Sequence, residues 1–330
     1  MNQDRVTRLV KASGVCAGEM ILVHFWGEDA DLEIAHRFMI AVSSLGASPV
    51  LLQQSRTVNS RLFSAAKEGC FDERYFHLLT GFDAVLDVFA YQPVVLGHEI
   101  APEPYQRYRR YMARLFGNLA ACRRFTQIRL PTQANAAGSG LNPQDYILRM
   151  TSAYDIDYPA VRDACMEKIE RFAGVDEVTV HTGRDCVLRL NLSGRTWHID
   201  AGDGDLPCGE IYIAPVEEKT QGSVFFDPLY LDGARYDGVT LQVQGGKICG
   251  GSDPEAARYF AEQPAQNRVV CELGIGMNPN VKTLCGYTVL DEKMAGTFHI
   301  AVGANDLFGG KNKAASHLDL VGYGKVEVKR

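Results

Sequence analysis

No two of the nine cysteines stand in a C-x-x-C pair; they are scattered from Cys16 to Cys285. An odd, dispersed set lying mostly in apolar segments argues against a disulfide framework and for reduced, buried thiols. No window approaches the roughly 18 consecutive apolar residues of a membrane span. The opening MNQDRVTRLVKASGV has no long apolar stretch of the secretory kind. Basic runs are also missing, as are basic residues interleaved with aromatics. With a net charge of −6, general nucleic-acid binding is excluded. After the first strand-like run the chain reads Trp26-Gly27-Glu28-Asp29 where a dinucleotide site would need G-x-G-x-x-G, which removes a nicotinamide dehydrogenase. There is no internal repeat and no low-complexity segment. The expected setting is the cytoplasm, with neither nucleic acid nor membrane as partner.

What is present falls into two halves with different periods. In the first, short apolar runs alternate with helical patterns. Glu19–Trp26, Ser48–Gln53, Ala84–Tyr91 and Phe125–Leu130 read as strands, and Asp29–Leu45 and Gln106–Cys122 as helices. That alternation implies a parallel, Rossmann-like sheet. Arg107, Arg109, Arg110 and Arg114 read as the solvated face of the second helix. Gln133–Asn142, small and polar, reads as a linker or exposed loop. Asp145–Phe172 carries helical periodicity, interrupted near Tyr158-Pro159. From about Glu177 onward, strand-like runs are punctuated by glycine and aspartate every eight to twelve residues, and only Pro254–Gln263 offers a helix. The predicted fold class is α/β: a Rossmann-like domain over 1–140, a helical connection over 141–175, and a β-rich metal-binding domain over 176–330.

The stretch GTFHIAVGANDLFGGKNKAASHLDL, Gly296 to Leu320, carries the chemistry. His299 sits in an apolar run, and His317 and Asp319 form an H-x-D pair. In an extended strand both members of such a pair project from one face. Glu210 in LPCGEIYIAP and Glu272 in VVCELGIG stand inside apolar runs, where an unpaired carboxylate costs several kcal/mol. Metal coordination would offset that cost. Five ligands (Glu210, Glu272, His299, His317, Asp319) exceed what one zinc ordinarily takes from protein. They suit two divalent ions sharing a bridging carboxylate.

The segments GEIYIAP, ELGIGMNP, LDEKMAGTFHIAVG and SHLDL, in that order, resemble the motifs of the aminopeptidase T/aminopeptidase S metallopeptidases over roughly residues 200–325. The resemblance places that family's metal ligands on Glu210, Glu272, His299, His317 and Asp319. It implies a dinuclear, generally dimeric exopeptidase using zinc, cobalt or manganese on a peptide or small amide. The family's tyrosine seven residues after the first histidine is Asp306 here, and the tryptophan between the final His and Asp is Leu318. Its N-terminal portion is also some tens of residues longer. The loop GANDLFGGKNKAASHLDL is similar to that of 2,5-dihydroxypyridine 5,6-dioxygenases, which implies the alternative of mononuclear Fe(II) ring cleavage. A third reading keeps the fold and metal and only binds its ligand.

Within the hydrolase reading, Glu272 is the expected bridge, and Glu210 a terminal ligand and candidate base. Asp306 is a candidate for the substrate ammonium. Lys311, with Lys293, is a candidate for carbonyl or carboxylate stabilisation, and Tyr287 for a phenol donor. His24 and His36 read as packed or surface residues. His98-Glu99 is not H-E-x-x-H, because position 102 is Pro. His198 has a modest claim beside the metal ligands, and Asp200, Asp203 and Asp205 crowd an acidic turn.

Overall fold

The computed structural model describes residues 1–93 and 100–328, so His98 and Glu99 lie outside the described residues. The chain divides into two compact units: Met1–Tyr154 with Gly202–Pro207, and Asp155–Ala201 with Cys208–Arg330.

The first unit is built on a parallel sheet ordered Ser48–Gln54, Met20–Trp26, Ala84–Phe89, Phe125–Arg129, Asp205–Leu206. All six residues of Ala84–Phe89 are buried, as are all but the first of Met20–Trp26. Continuous apolar runs such as ILVHFW are what strands covered on both faces require. The helix Pro102–Ala120 starts with proline in its first turn and buries Tyr108, Tyr111, Met112, Leu115 and Leu119. That is one stripe at helical spacing. Its opposite side carries the arginines; Arg107 pairs with Glu103 at 2.6 Å and Arg114 with Glu73 at 2.7 Å. His24 is buried, its Nδ1 2.8 Å from Asp87 Oδ1, and His36 is exposed. The segment read as a loop holds a short helix, Gln133–Ala136. Buried Asn135 donates there to the Phe89 and Leu130 carbonyls, each at 2.8 Å. A four-residue turn is too short to show a period.

The second unit opens with the helix Tyr158–Glu170, whose Pro159 lies in the first turn and marks the break from the preceding helix Pro143–Ala153. Two larger antiparallel sheets follow, beside a two-stranded ribbon of Leu229–Leu231 and Ala234–Tyr236. One has six strands: Lys247–Gly251, Val239–Gln244, Gln221–Phe226, Val187–Asn191, Glu177–His181, Lys325–Val328. The other has five: His317–Tyr323, Thr297–Gly303, Val270–Gly276, Glu210–Ile213, His198–Asp200. Phe226 and Phe298, with ring centroids 5.9 Å apart, join their cores. Pro254–Glu262 is not alone as a helix; Thr288–Asp291 adds a single turn. All nine cysteines are free, but only Cys165, Cys186, Cys208 and Cys271 are buried, so the expectation of buried thiols holds for four. No helix among the described residues is long and apolar enough to cross a membrane.

Candidate metal centre

Strand alternation and register bring the five candidate ligands onto one face of the five-stranded sheet. Glu272 lies opposite Ala301, and Ala301 opposite Asp319; Gly274 lies opposite His299, Gly276 opposite Glu210, and Gly303 opposite His317. Residues of the same parity share a face. Four positions on that face opposite or beside the ligands are small, Gly274, Gly276, Ala301 and Gly303, while Val321 lies opposite His299 and Asp200 opposite Glu210. Gly274 makes the closest approach. A Cβ there would stand 1.9 Å from His299 Nε2, so the imidazole lies across the space a side chain would fill.

The side chains form two clusters that share Glu272. Its Oε1 is 3.3 Å from His299 Nε2, which is 3.5 Å from Glu210 Oε2. Its Oε2 is 3.5 Å from His317 Nε2, which is 3.4 Å from Asp319 Oδ1. Among the described residues only the cluster with His317 and Asp319 brings three ligand atoms within 4.8 Å of one another. His317 Nδ1 lies 2.9 Å from the Ala304 carbonyl, and this contact leaves Nε2 as the free donor to a metal. A bulge between Val270 and Glu272 makes Cys271 the extra residue, with its Sγ 3.7 Å from His317 Nδ1. Burial pushes that thiol up to about 11.

The donor set fits divalent cations. Glu210 and Glu272 are buried, and Glu210 Oε2 and His299 Nδ1 are buried with no hydrogen-bond partner among the described residues. Burial pushes Glu272 upward, and the like charges of Asp319 and Glu210 add to it. Burial opposes charge on His299, but the hydrogen bond to Glu272 and the carboxylates of Glu210 and Asp319 outweigh it and raise it to about 9. For His317, burial is likewise outweighed, chiefly by Asp319 and Cys271, and the group rises to about 12. Asp319 is lowered against its burial by His317 and His299. In the absence of a cation these histidines must hold protons to balance the carboxylates. A metal ion supplies the same positive charge.

Lys293 is the cation that sequence reasoning placed near the site. It is buried, with Nζ 2.6 Å from Glu210 Oε1, 2.9 Å from Glu292 Oε1 and 3.3 Å from Asp200 Oδ2. One oxygen of Glu210 is thus taken by an ammonium, and only Oε2 faces the ligand cluster. Burial, with Glu210 and Asp319 nearby, pushes Glu292 up to about 8. Asp306 and Lys311 lie exposed on the loop 304–316, and the Lys311 backbone N–H donates to Glu217. Tyr287 precedes the short helix Thr288–Asp291. His198 stacks on Tyr212 at 5.1 Å. Asp203 and Asp205 belong to the first unit, where Asp205 pairs with Arg129 at 3.3 Å. Glu292, Tyr212 and Phe308 are site residues the sequence reading did not single out, and Asp200 it read only as part of an acidic turn. Tyr212 was accessible in principle, because it shares the parity of Glu210 within one strand; the pairing of Asp200 opposite Glu210 was not.

A profile described as thermophilic metalloprotease (M29) matches residues 158–327. Among solved structures, wild-type AmpT from Thermus thermophilus aligns over 99% of this chain and 97% of its own, at 16% identity and a TM-score of 0.67. The 2,5-dihydroxypyridine dioxygenase from Pseudomonas putida KT2440 aligns over 99% and 94%, at 14% identity and a TM-score of 0.64. These two likenesses establish a shared fold. No curated protein matches the chain by sequence.

Proposed function

The chain belongs to the thermophilic metalloprotease (M29) family, and we propose that it is a dinuclear, aminopeptidase-like hydrolase of an N-terminal peptide or small amide bond. The observation that carries the two-ion reading is Glu272, which turns one oxygen toward His299 and the other toward His317. Glu210 Oε2, His299 Nε2 and Glu272 Oε1 would hold one ion. Glu272 Oε2, His317 Nε2 and Asp319 Oδ1 would hold the other. Zinc, cobalt and manganese all suit such carboxylate and imidazole donors. When bound, the ions would supply polarisation of the scissile carbonyl and an acidified water.

The protein's own groups divide the remaining work. Lys293 holds Glu210 Oε1 at 2.6 Å, which leaves only Oε2 toward the cluster and fits Glu210 as a ligand better than as a free base. Asp306, on the loop 304–316, is assigned the substrate ammonium, and Lys311 the stabilisation of a carbonyl or carboxylate oxygen. A homodimer is part of the proposal, on the strength of the sequence resemblance. The test is hydrolysis of aminoacyl amides by protein loaded with zinc, cobalt or manganese. Saturable release of the amine, lost in Glu272→Gln, is expected. Absence of hydrolysis by fully loaded wild type overturns the reading.

A further inference from the structure

On the ligand face, register lines up His198, Tyr212, Gly274 and His299 as one row across four strands. His198 and Tyr212 stand stacked, with centroids 5.1 Å apart and planes 21° apart. Gly274 contributes no side chain, and His299 Nε2 lies 1.9 Å from where its Cβ would be. Directly opposite residues have Cβ atoms about 4.5–5.5 Å apart. Half-buried Tyr212 and buried His299 therefore flank Gly274 on the ligand face, with no side chain of the row between them. Among the described residues the Tyr212 hydroxyl makes no hydrogen bond.

Phe308 completes a wall. Its ring is edge-on to Tyr212 at 5.6 Å, to His198 at 6.4 Å and to His317 at 6.0 Å, so it reaches from the stacked pair to the second cluster. The loop that carries it is fastened on both sides. Buried Asn305 donates to Glu217 Oε1 and to the Cys271 carbonyl, each at 3.0 Å, and accepts from Asn312 N–H at 2.9 Å. Arg195 donates to the Gly309 carbonyl and pairs with Glu217 at 2.7 Å. Leu307, one residue earlier, is 96% exposed. The loop thus turns one large apolar side chain to solvent and holds the next against the site. Fixed aromatic surface beside a reacting centre, with an unpartnered hydroxyl at its foot, is what substrate recognition needs.

We propose that Tyr212, His198 and Phe308 form the substrate-recognition wall of the metal centre. The wall selects amides that carry a flat or apolar group next to the scissile carbonyl, and Tyr212 donates a hydrogen bond to the bound substrate. This deepens the hydrolase reading and rests on it. Loss of one hydrophobic contact of this kind changes selectivity by roughly 10- to 200-fold.

The experiment uses the metal-loaded full chain and compares kcat/KM for phenylalanine amide and glycine amide in wild type, Phe308→Ala, Phe308→Leu and Tyr212→Phe. Metal content is measured alongside, and calorimetry follows binding of free phenylalanine and glycine. Phe308→Ala is expected to reduce the phenylalanine-to-glycine preference at least about tenfold and to weaken phenylalanine binding comparably, with metal content unchanged. Tyr212→Phe is expected to slow both amides. Equal losses for both substrates in the Phe308 variants, with metal retained, would overturn the wall. If Phe308→Ala loses metal or folded signal, Phe308→Leu, which keeps apolar bulk without the ring, carries the comparison. Should wild type hydrolyse neither amide, the hydrolase reading falls and calorimetry still decides: phenylalanine binding that weakens in the Phe308 variants supports the wall, and binding that is absent or unaffected overturns it.

Discussion

At Lys293 a single buried ammonium faces three carboxylates, Asp200, Glu210 and Glu292, within 3.3 Å. One positive charge cannot neutralise three negative ones in a site shielded from water. Glu292 is the group raised to about 8, so it keeps its proton near neutrality. Its folded pKa lies above its unfolded value of about 4.3, which fixes the sign. Below about pH 4 both states are protonated and the contribution is fully present. Between there and about pH 8 the unfolded chain releases a proton that the folded one retains, so stability falls as pH rises. In chelator, the urea midpoint of the wild type should therefore drop from pH 5 to pH 8 by more than that of Glu292→Gln. Equal drops would show that Glu292 ionises freely in the fold. Nothing in LDEKMAG distinguishes Glu292 or Lys293 from surface residues, because burial of a charge is set by what other strands bring to it. The sequence offers Lys293 only as a cation near the site; Asp200 and Glu210, from distant segments, with its neighbour Glu292, account for its burial.

At the scale of the element, the strand Val270–Gly276 does most to build the centre. All seven residues are buried, its Glu272 turns one oxygen toward His299 and the other toward His317, and Gly274 leaves room for an imidazole from the neighbouring strand. Gly274→Ala would drive a methyl group to 1.9 Å from His299 Nε2, forcing the ring away. Metal analysis of this variant should find about one equivalent fewer per chain than wild type, since the three atoms nearest that methyl all belong to His299. Unchanged metal content would show that His299 is not a ligand. The apolar runs made this strand and its neighbours legible, and the H-x-D and E-in-strand signals named the five residues. Register was not legible. That Gly274 faces His299, or that a bulge turns Cys271 toward His317, depends on pairing between residues 25 and 46 apart in the chain, which period-two alternation within one strand cannot encode. Short turns such as Gln133–Ala136 and Thr288–Asp291 escaped for a related reason: one turn of helix has no repeat to detect.

For the whole molecule, the candidate ligands and the groups that hold them, from Asp200 to Asp319, all belong to the second unit, and the M29 match covers 158–327 of the same region. The central claim is that five residues there hold two ions through Glu272. Calorimetric titration of metal-free protein with zinc, under strict exclusion of other metals, tests it most directly when wild type is set beside Glu210→Gln and His317→Ala. The account predicts about two equivalents bound by wild type and about one by each variant, because each substitution empties a different half-site. Contradiction would be one equivalent in wild type that survives Glu210→Gln and disappears in His317→Ala. That result would leave a mononuclear centre on Glu272, His317 and Asp319, and iron with dioxygen would become the chemistry to pursue.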